Sequence, residues 1–231
     1  MINGQSVIAV ITARKGSKGI PGKNIVDICG KPMICYTVEA AVNCSYVDEV
    51  MVTTDCEEIA EICKESGASV PFLRREELST DEATSVDVVV DAVEFYRKEL
   101  GKSYDVVMLL QPTSPLRDDK DIEKALEVFM EHGMKSLASV NEVLDHPILI
   151  REMQEGEIKR IINTKSDVRR QDMPTFYRVN GAIYINRSEQ ITAELSFNDN
   201  EVGYVMDRSH SVDVDSYIDL ELVRVLVKNK I

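Results

Sequence analysis

From Ile8 to Asn24 the chain reads IAVITARKGSKGIPGKN, an apolar run that gives way to four basic side chains, Arg14, Lys15, Lys18 and Lys23, set among three glycines and a proline. Glycine lets backbone N–H groups come close to a bound anion, and clustered cations neutralise several phosphate charges in one small volume. A nucleoside triphosphate is the ligand this chemistry suits. The spacing of Gly16, Gly19 and Gly22 matches neither GxxxxGK[ST] nor GxGxxG. On spacing alone, a solvated basic loop is therefore the competing reading.

Asp213-Val214-Asp215 is the second constellation. On an extended segment this alternation turns both carboxylates to one face and the valine away. Paired carboxylate oxygens suit Mg²⁺, which takes one or two such ligands and completes its shell with water and substrate phosphate. Acidic residues ahead of a helix also serve as ordinary caps, and the sequence leaves both roles open. Three further stretches are polar enough for recognition. Gln111 to Arg117 (QPTSPLR) carries two prolines that hold a rigid extended turn. Arg74 and Thr84-Ser85 lie at the approach to a helix, where hydroxyls cap free N–H groups or contact a nucleoside, with Ser79 and Thr80 as further cap candidates. Arg169-Arg170 and Tyr177 to Gly181 form a basic and polar pair of segments, and a planar guanidinium there is either a solvated surface group or a bidentate carboxylate ligand.

These groups need a frame. Ile8, Val10 and Ile11 have the β-branched character of a buried strand, and the glycines and Pro21 keep a helix from starting directly after it. Lys31 to Cys44 has helical spacing with Pro32 near its start, Glu49 to Thr54 reads as a strand, and Glu57 to Ser66 as a helix stopped by Gly67. Ser69 to Leu73 is predicted as a third strand, Thr84 to Leu100 as a long helix, and Asp105 to Gln111 as a central parallel strand covered on both faces. Four strands with intervening helices imply a doubly wound α/β sheet, whose ligands bind beyond the carboxyl ends of the strands. The basic loop and the segment after Leu110 share that edge. Ile122 to His132 (helix) and Ser136 to Val140 (strand) follow. From Glu142 to Phe176 the pattern changes to mixed charge, short apolar runs and two prolines, the mark of an inserted subdomain. The expected division is thus a catalytic domain at 1–141 and 177–231 with an insert at 142–176. Gly181 to Asn186 and Val202 to Met206 return to strand character, and Tyr217 to Lys228 closes as an amphipathic helix.

Composition narrows the class. The 231 residues are 44% hydrophobic and 29% charged, enough for one substantial domain plus a small appendage. No apolar stretch approaches the ~20 residues of a membrane helix, and the N-terminus lacks a secretory pattern, so a cytoplasmic protein is expected. A net charge of −13 argues against a broad nucleic-acid surface. The five cysteines, Cys29, Cys35, Cys44, Cys56 and Cys63, have neither CxxC spacing nor a nearby histidine and read as reduced, mostly buried thiols.

The string around the basic loop resembles the ARxGSKGxPxKN signature of the acylneuraminate cytidylyltransferases, and LQPTSPLR at 110–117 and SVDVDSYIDL at 211–220 resemble two more of that family's motifs. The likeness runs from Ile8 to about Leu226 with the motifs in the family's order. It implies a mostly parallel, Rossmann-like nucleotidyltransferase sheet and an enzyme that joins CTP to a nonulosonic acid, giving the CMP-sugar and pyrophosphate. It implies catalytic roles for Arg14, Lys18, Lys23, Asp213 and Asp215, with Mg²⁺ (or Mn²⁺) on the two aspartates. Ala13, Arg14, Gly16, Ser17, Lys23, Asn24, Arg74 and Ser85 match nucleotide-side positions. Gln111, Arg170, Arg178 and Asn180 match sugar-side positions, and Tyr184 matches a tyrosine offered across a dimer interface. His146-Pro147 also fits, but many sialate-activating relatives carry a lysine where this chain has Leu149, which leaves sialic, legionaminic and pseudaminic acids all open. A homodimer made through the insert is implied, with a dimer of dimers as the larger option. A nucleotidyltransferase of another sugar, a DxD glycosyltransferase and a non-catalytic nucleotide or sugar sensor are the rival classes. The products separate them, because a glycosyltransferase releases nucleoside diphosphate and a sensor releases nothing.

Overall fold

A computed structural model describes residues 1–162 and 173–229. Strand β1 (Val7–Thr12) leads into the basic loop, which closes with a short 3-10 turn at Lys23–Ile25 and a two-residue hairpin, β2 (Asp27–Ile28) and β3 (Lys31–Pro32). Then follow α1 (Met33–Asn43), β4 (Glu49–Thr53), α2 (Glu57–Glu65), α3 (Ser85–Glu99), β5 (Val106–Leu110), α4 (Asp119–Glu131) and β6 (Leu137–Glu142). A hairpin of β7 (Arg151–Gln154) and β8 (Glu157–Arg160) precedes β9 (Tyr177–Arg187), β10 (Val202–Val205) and α5 (Tyr217–Asn229). The main sheet has the order β10-β6-β9-β5-β1-β4. β1 pairs in parallel with both β4 and β5, β6 pairs in parallel with β10, and β9 runs antiparallel between β5 and β6.

Burial explains the layers. Every residue of β5 (VVMLL) is buried and so are five of the six in β1, because helices cover both faces of the sheet centre. One face packs Ile34, Val38, Ile59, Cys63, Ile122 and Phe129 from α1, α2 and α4 against Ala9, Ile11 and Met108. The other packs Val89, Ala92 and Tyr96 of α3 against Ile8, Val10, Val107 and Leu109. A third cluster joins Ile20 of the basic loop and Ile28 of β2 to Val214, Leu220 and Val223. That cluster matters for the site, since it docks the basic loop against the Asp213–Asp215 segment far away in sequence.

Two expectations are corrected. Ser69 to Leu73 is not a full strand. Only single bridges, Met51 to Ser69 and Thr54 to Leu73, extend the sheet there, because Pro71 lacks the N–H that a continuous ladder needs. β9 starts four residues earlier than its apolar run and is antiparallel. Helix α4 also begins earlier than expected, at a capping box in which Asp118 and Asp121 satisfy each other's backbone N–H. For α3 the hydroxyl that caps is Thr84, whose Oγ1 accepts the Asp87 N–H at 3.2 Å while Asp87 accepts the Thr84 N–H at 3.0 Å. Ser79 serves elsewhere, as the acceptor for Arg74 Nε. The five cysteines are all free thiols, four of them buried and Cys29 exposed.

Candidate functional site

The carboxyl ends of β1 and β5 carry the polar segments to one edge. Ala13 continues β1 by donating its N–H to the Thr53 carbonyl at 3.0 Å and buries its methyl in the core. The Lys15 N–H donates to Asp55 Oδ1 at 2.7 Å, and the buried Asn24 amide donates to the Arg14 carbonyl at 2.8 Å. Asn24 thus ties the two ends of the loop together. Gly19 is needed for packing: a Cβ there would sit 2.5 Å from the Asp215 carbonyl oxygen, so any side chain would push the loop off the acidic segment. Gly16 and Lys15 are exposed at the loop's outer turn.

The loop opens on a cleft of about 400 Å³ lined by Arg14, Ser17, Lys18, Lys23, Asn24, Asp81, Gln111, Thr113 and Asp215. Arg14 Nη2 lies 2.6 Å from Asp81 Oδ1, and Lys18 Nζ lies 2.9 Å from Asp81 Oδ2. One carboxylate bridged by two cations marks a place built for negative charge. The Lys18 and Arg14 hydrogen bonds hold Asp81 below the usual carboxylate range. Lys23, only 15% exposed, donates to the Val214 carbonyl at 2.9 Å and lies 3.0 Å from Asp215 Oδ1. It is fixed in place, whereas Lys18 is 79% exposed.

Two further recesses adjoin the cleft. One, about 230 Å³, is lined by Arg14, Arg74, Thr80, Asp81, Thr84 and Ser85. The other, about 410 Å³, is lined by Ser85, Leu109, Gln111, Tyr184, Phe197 and Asn198. Shared residues join the three pairwise: Arg14 and Asp81, Ser85, and Gln111. Arg74 is buried, and burial lowers its pKa while the Asp55 charge opposes that shift. A triphosphate over the loop can therefore reach one recess with its nucleoside while a second substrate enters the other beside Gln111.

The two aspartates are not equivalent. Val214 is fully buried between them and donates its N–H to the Thr113 carbonyl at 2.8 Å, so the segment crosses the turn that follows β5. Asp215 is 77% exposed on Lys23. Asp213 is half-buried with Oδ1 lacking any partner; burial raises its pKa, with a Thr113 hydrogen bond opposing. Capping of α5 falls to other groups. Asp219 Oδ2 accepts the Ser216 N–H at 2.8 Å and the Asp215 N–H at 3.2 Å, and Ser216 Oγ in turn accepts the Asp219 N–H at 3.4 Å. The competing reading of Asp213 and Asp215 as caps thus has no support in the hydrogen bonds. A desolvated carboxylate oxygen without a donor, beside a second carboxylate at a phosphate-sized cleft, has the hard-donor chemistry that fits Mg²⁺.

The sugar-side expectations divide. Gln111 stands at the corner between the cleft and the larger recess. Tyr184 is buried in its own chain, where it lines that recess and donates to Asn198 Oδ1 at 2.7 Å, with burial pushing its phenol up to about 12. Asn180 is buried and spends its amide inside the sheet: Oδ1 accepts from Ser139 Oγ and the Ala182 N–H, and Nδ2 donates to Ser211 Oγ at 3.2 Å. Arg178 is exposed at the start of β9, where Nε donates to Asn141 Oδ1 at 3.3 Å. Arg170 lies outside the described residues. Asp81, Thr113 and Asn198 were not foreseen. Asp81 is one of many acids in EELSTDEATS, and only its place opposite Arg14 and Lys18 separates it from the others.

A mixed, mostly parallel sheet flanked by helices, with a glycine-rich basic loop after its first strand, is the Rossmann-like nucleotidyltransferase fold. A solved CMP:2-keto-3-deoxy-manno-octonic acid synthetase, in complex with CTP, superposes with a TM-score of 0.73 at 20% identity, over 98% of this chain and 100% of that one. A 4-diphosphocytidyl-2C-methyl-D-erythritol synthase gives 0.68 at 13% identity over 96% and 98%. A cytidylyltransferase family model matches residues 8–231, and the chain belongs to the cytidylyltransferase family. It is 39% identical to an N-acylneuraminate cytidylyltransferase of Streptococcus agalactiae serotype V over 92% of its length, and spans only 51% of that relative. It is 36% identical to a CMP-N,N'-diacetyllegionaminic acid synthase of Legionella pneumophila and 34% identical to a pseudaminic acid cytidylyltransferase of Campylobacter jejuni, each over 96% of both chains. The chain thus spans about half the length of the streptococcal relatives and nearly all of the other two. Among the described residues no helix is long and apolar enough to cross a membrane.

Proposed function

We propose that the protein activates a nonulosonic acid with CTP, forming the CMP-sugar and releasing pyrophosphate. The observation that carries this reading is the convergence of Arg14, Lys18 and Lys23 on one cleft whose far corner, at Gln111, opens into a second substrate-sized recess. The family membership and the names of the relatives support it.

The anomeric 2-hydroxyl of the acid attacks the α-phosphorus in line, a new O–P bond forms, and the bond to the β-phosphate breaks with its electrons leaving on pyrophosphate. Little covalent work falls to the protein, so its part is to position and to neutralise. Arg14 and Lys18 exchange Asp81 for the β- and γ-phosphates. Lys23, pinned by the Val214 carbonyl, holds charge near the α-phosphate without having to reorganise. Arg74 and Ser85 face the nucleoside side. Asp213 and Asp215 would hold Mg²⁺, which when bound neutralises phosphate charge and acidifies the attacking hydroxyl. Among the described residues no side chain in the cleft stands as a dedicated base, so the hydroxyl proton leaves to solvent water as the O–P bond forms.

The test is pyrophosphate release from CTP with Mg²⁺ and a panel of sialic, legionaminic and pseudaminic acids. Turnover is expected with CTP and at least one of these acids. Equal turnover with ATP, release of a nucleoside diphosphate, or no turnover with any acid would sink the reading. The panel also names the acid, which identities of 39%, 36% and 34% to relatives named for three different acids do not.

We also infer a homodimer built through the insert at 142–176, working in the cytoplasm where CTP is made. The β7–β8 hairpin stands apart from the main sheet and exposes Met153 (72%) and Ile158 (66%), and Ile161, directly after it in sequence, is exposed as well. Apolar groups gathered on one projection mark an interaction surface. Sedimentation at micromolar concentration should give twice the chain mass, and Met153→Asp with Ile158→Asp should return it to one. A fully active single chain would refute the dimer.

A further inference from the structure

Arg117 is the bulkiest fully buried side chain of the protein. A guanidinium taken out of water is costly unless a carboxylate and good hydrogen bonds compensate. Among the described residues no carboxylate hydrogen-bonds it, and the charges of Asp121 and Asp118 offset only part of the cost of burial, which lowers its pKa to about 10. Nη1 donates to two carbonyls, Gln111 at 3.3 Å and Ala182 at 3.1 Å, while Nε and Nη2 have no partner. So expensive a group calls for a reason, and the identity of its two acceptors supplies one. The last pair in the antiparallel ladder of β5 and β9 is Leu110 with Ile183. Gln111 and Ala182 are the residues one step beyond, where the strands part towards the cleft. Arg117 therefore bridges the two carbonyls at the point where the ladder ends.

A second observation bears on the same residue. A Cβ on Gly181 would lie 2.8 Å from Gln111 Oε1, and Gly181 has φ +78°. The Gln111 amide thus lies across bare backbone in β9. That backbone is a bulge: between the pairs Ala138–Tyr184 and Val140–Val179, β6 advances two residues and β9 five. The bulge is fastened by the Ile183 N–H donating to Ser139 Oγ at 2.8 Å and the Ala182 N–H donating to Asn180 Oδ1 at 3.2 Å.

We propose that Arg117 and Gly181 are positioning residues that fix Gln111, main chain and side chain respectively, at the corner where the triphosphate cleft meets the sugar recess, and so set the affinity for the acid. This rests on the reading of that recess as the sugar side. The site gains room for the Gln111 amide to lie against the bare Gly181 backbone, in a place a Cβ would deny it, and that placement lets it discriminate among acids differing in the groups it meets.

The experiment measures KM for CTP and for the preferred acid in Gln111→Ala, Gly181→Ala, Arg117→Lys and the double variant Gly181→Ala/Gln111→Ala, with melting temperatures alongside. Gly181→Ala is expected to raise the acid KM about tenfold and leave the CTP KM within about twofold. With Gln111 already alanine, the same change should add less than about twofold, because its effect passes through Gln111; a merely structural role adds equally in both backgrounds. Arg117→Lys keeps the charge but loses the fork, and should shift the acid KM in the same direction. Equal effects of Gly181→Ala in the two backgrounds, or a CTP KM rising as far as the acid KM, would overturn the proposal while leaving the sugar-side reading in place. An acid KM untouched by Gln111→Ala would overturn both.

Discussion

Arg14→Ala and Lys23→Ala are each expected to lower kcat by about 100-fold or more, the scale seen when one preorganised donor is removed from a developing negative charge. The two residues earn that expectation differently. Arg14 lines two recesses, so its loss is felt at the phosphates and beside the nucleoside, and the CTP KM should rise as kcat falls. Lys23 is mostly buried and fixed by a main-chain carbonyl, so its charge is in place before substrate arrives. Its loss should appear chiefly in kcat. Lys18 is 79% exposed, and charge pairs of that kind contribute little; Lys18→Ala should cost roughly tenfold or less. Steady-state kinetics of the three variants checks the order. Unchanged kcat in both Arg14→Ala and Lys23→Ala would take the loop out of the mechanism.

Much of this arrangement was legible in the sequence because local signals and the final fold agree. The apolar run of β5, the Gly-rich break after β1 and the helical spacing of α1, α2 and α3 each needed only near neighbours to be read. The failures have a common cause. Pro71 removed a ladder bond that the apolar run of Val70, Phe72 and Leu73 around it suggested. The antiparallel direction of β9 is set by pairing with β5 and β6, which no local pattern records. Asn180 was placed on the sugar side by resemblance alone; the hydrogen bonds it makes in the bulge depend on Ser139 and Ser211, distant in sequence. Asp81 and Arg117 were missed for the same reason. Each acquires meaning only from what stands opposite it.

The acidic pair separates two readings by experiment as well as by geometry. If Asp213 and Asp215 capped α5, asparagine would replace them at little cost, since Asn caps about as well as Asp. Ser216 and Asp219 already fill that role, so Asp→Asn should instead act on turnover. With shape kept and one charge lost from the proposed metal site, kcat is expected to fall about 100-fold or more in each variant. Stability should move the other way at Asp213. Burial raises its pKa in the folded chain, so the ionised carboxylate works against folding at any pH above that raised value, and the penalty vanishes as pH falls below the ordinary carboxylate range. At pH 8 without added metal, Asp213→Asn should therefore melt no lower than the wild type. Asp215 is exposed on Lys23, and Asp215→Asn should leave the melting temperature nearly unchanged. Raising Mg²⁺ should restore part of the lost turnover in the milder variant. Near-normal kcat at low Mg²⁺ in both variants would end the metal assignment, and a lower melting temperature in Asp213→Asn would show that its buried oxygen has a structural partner.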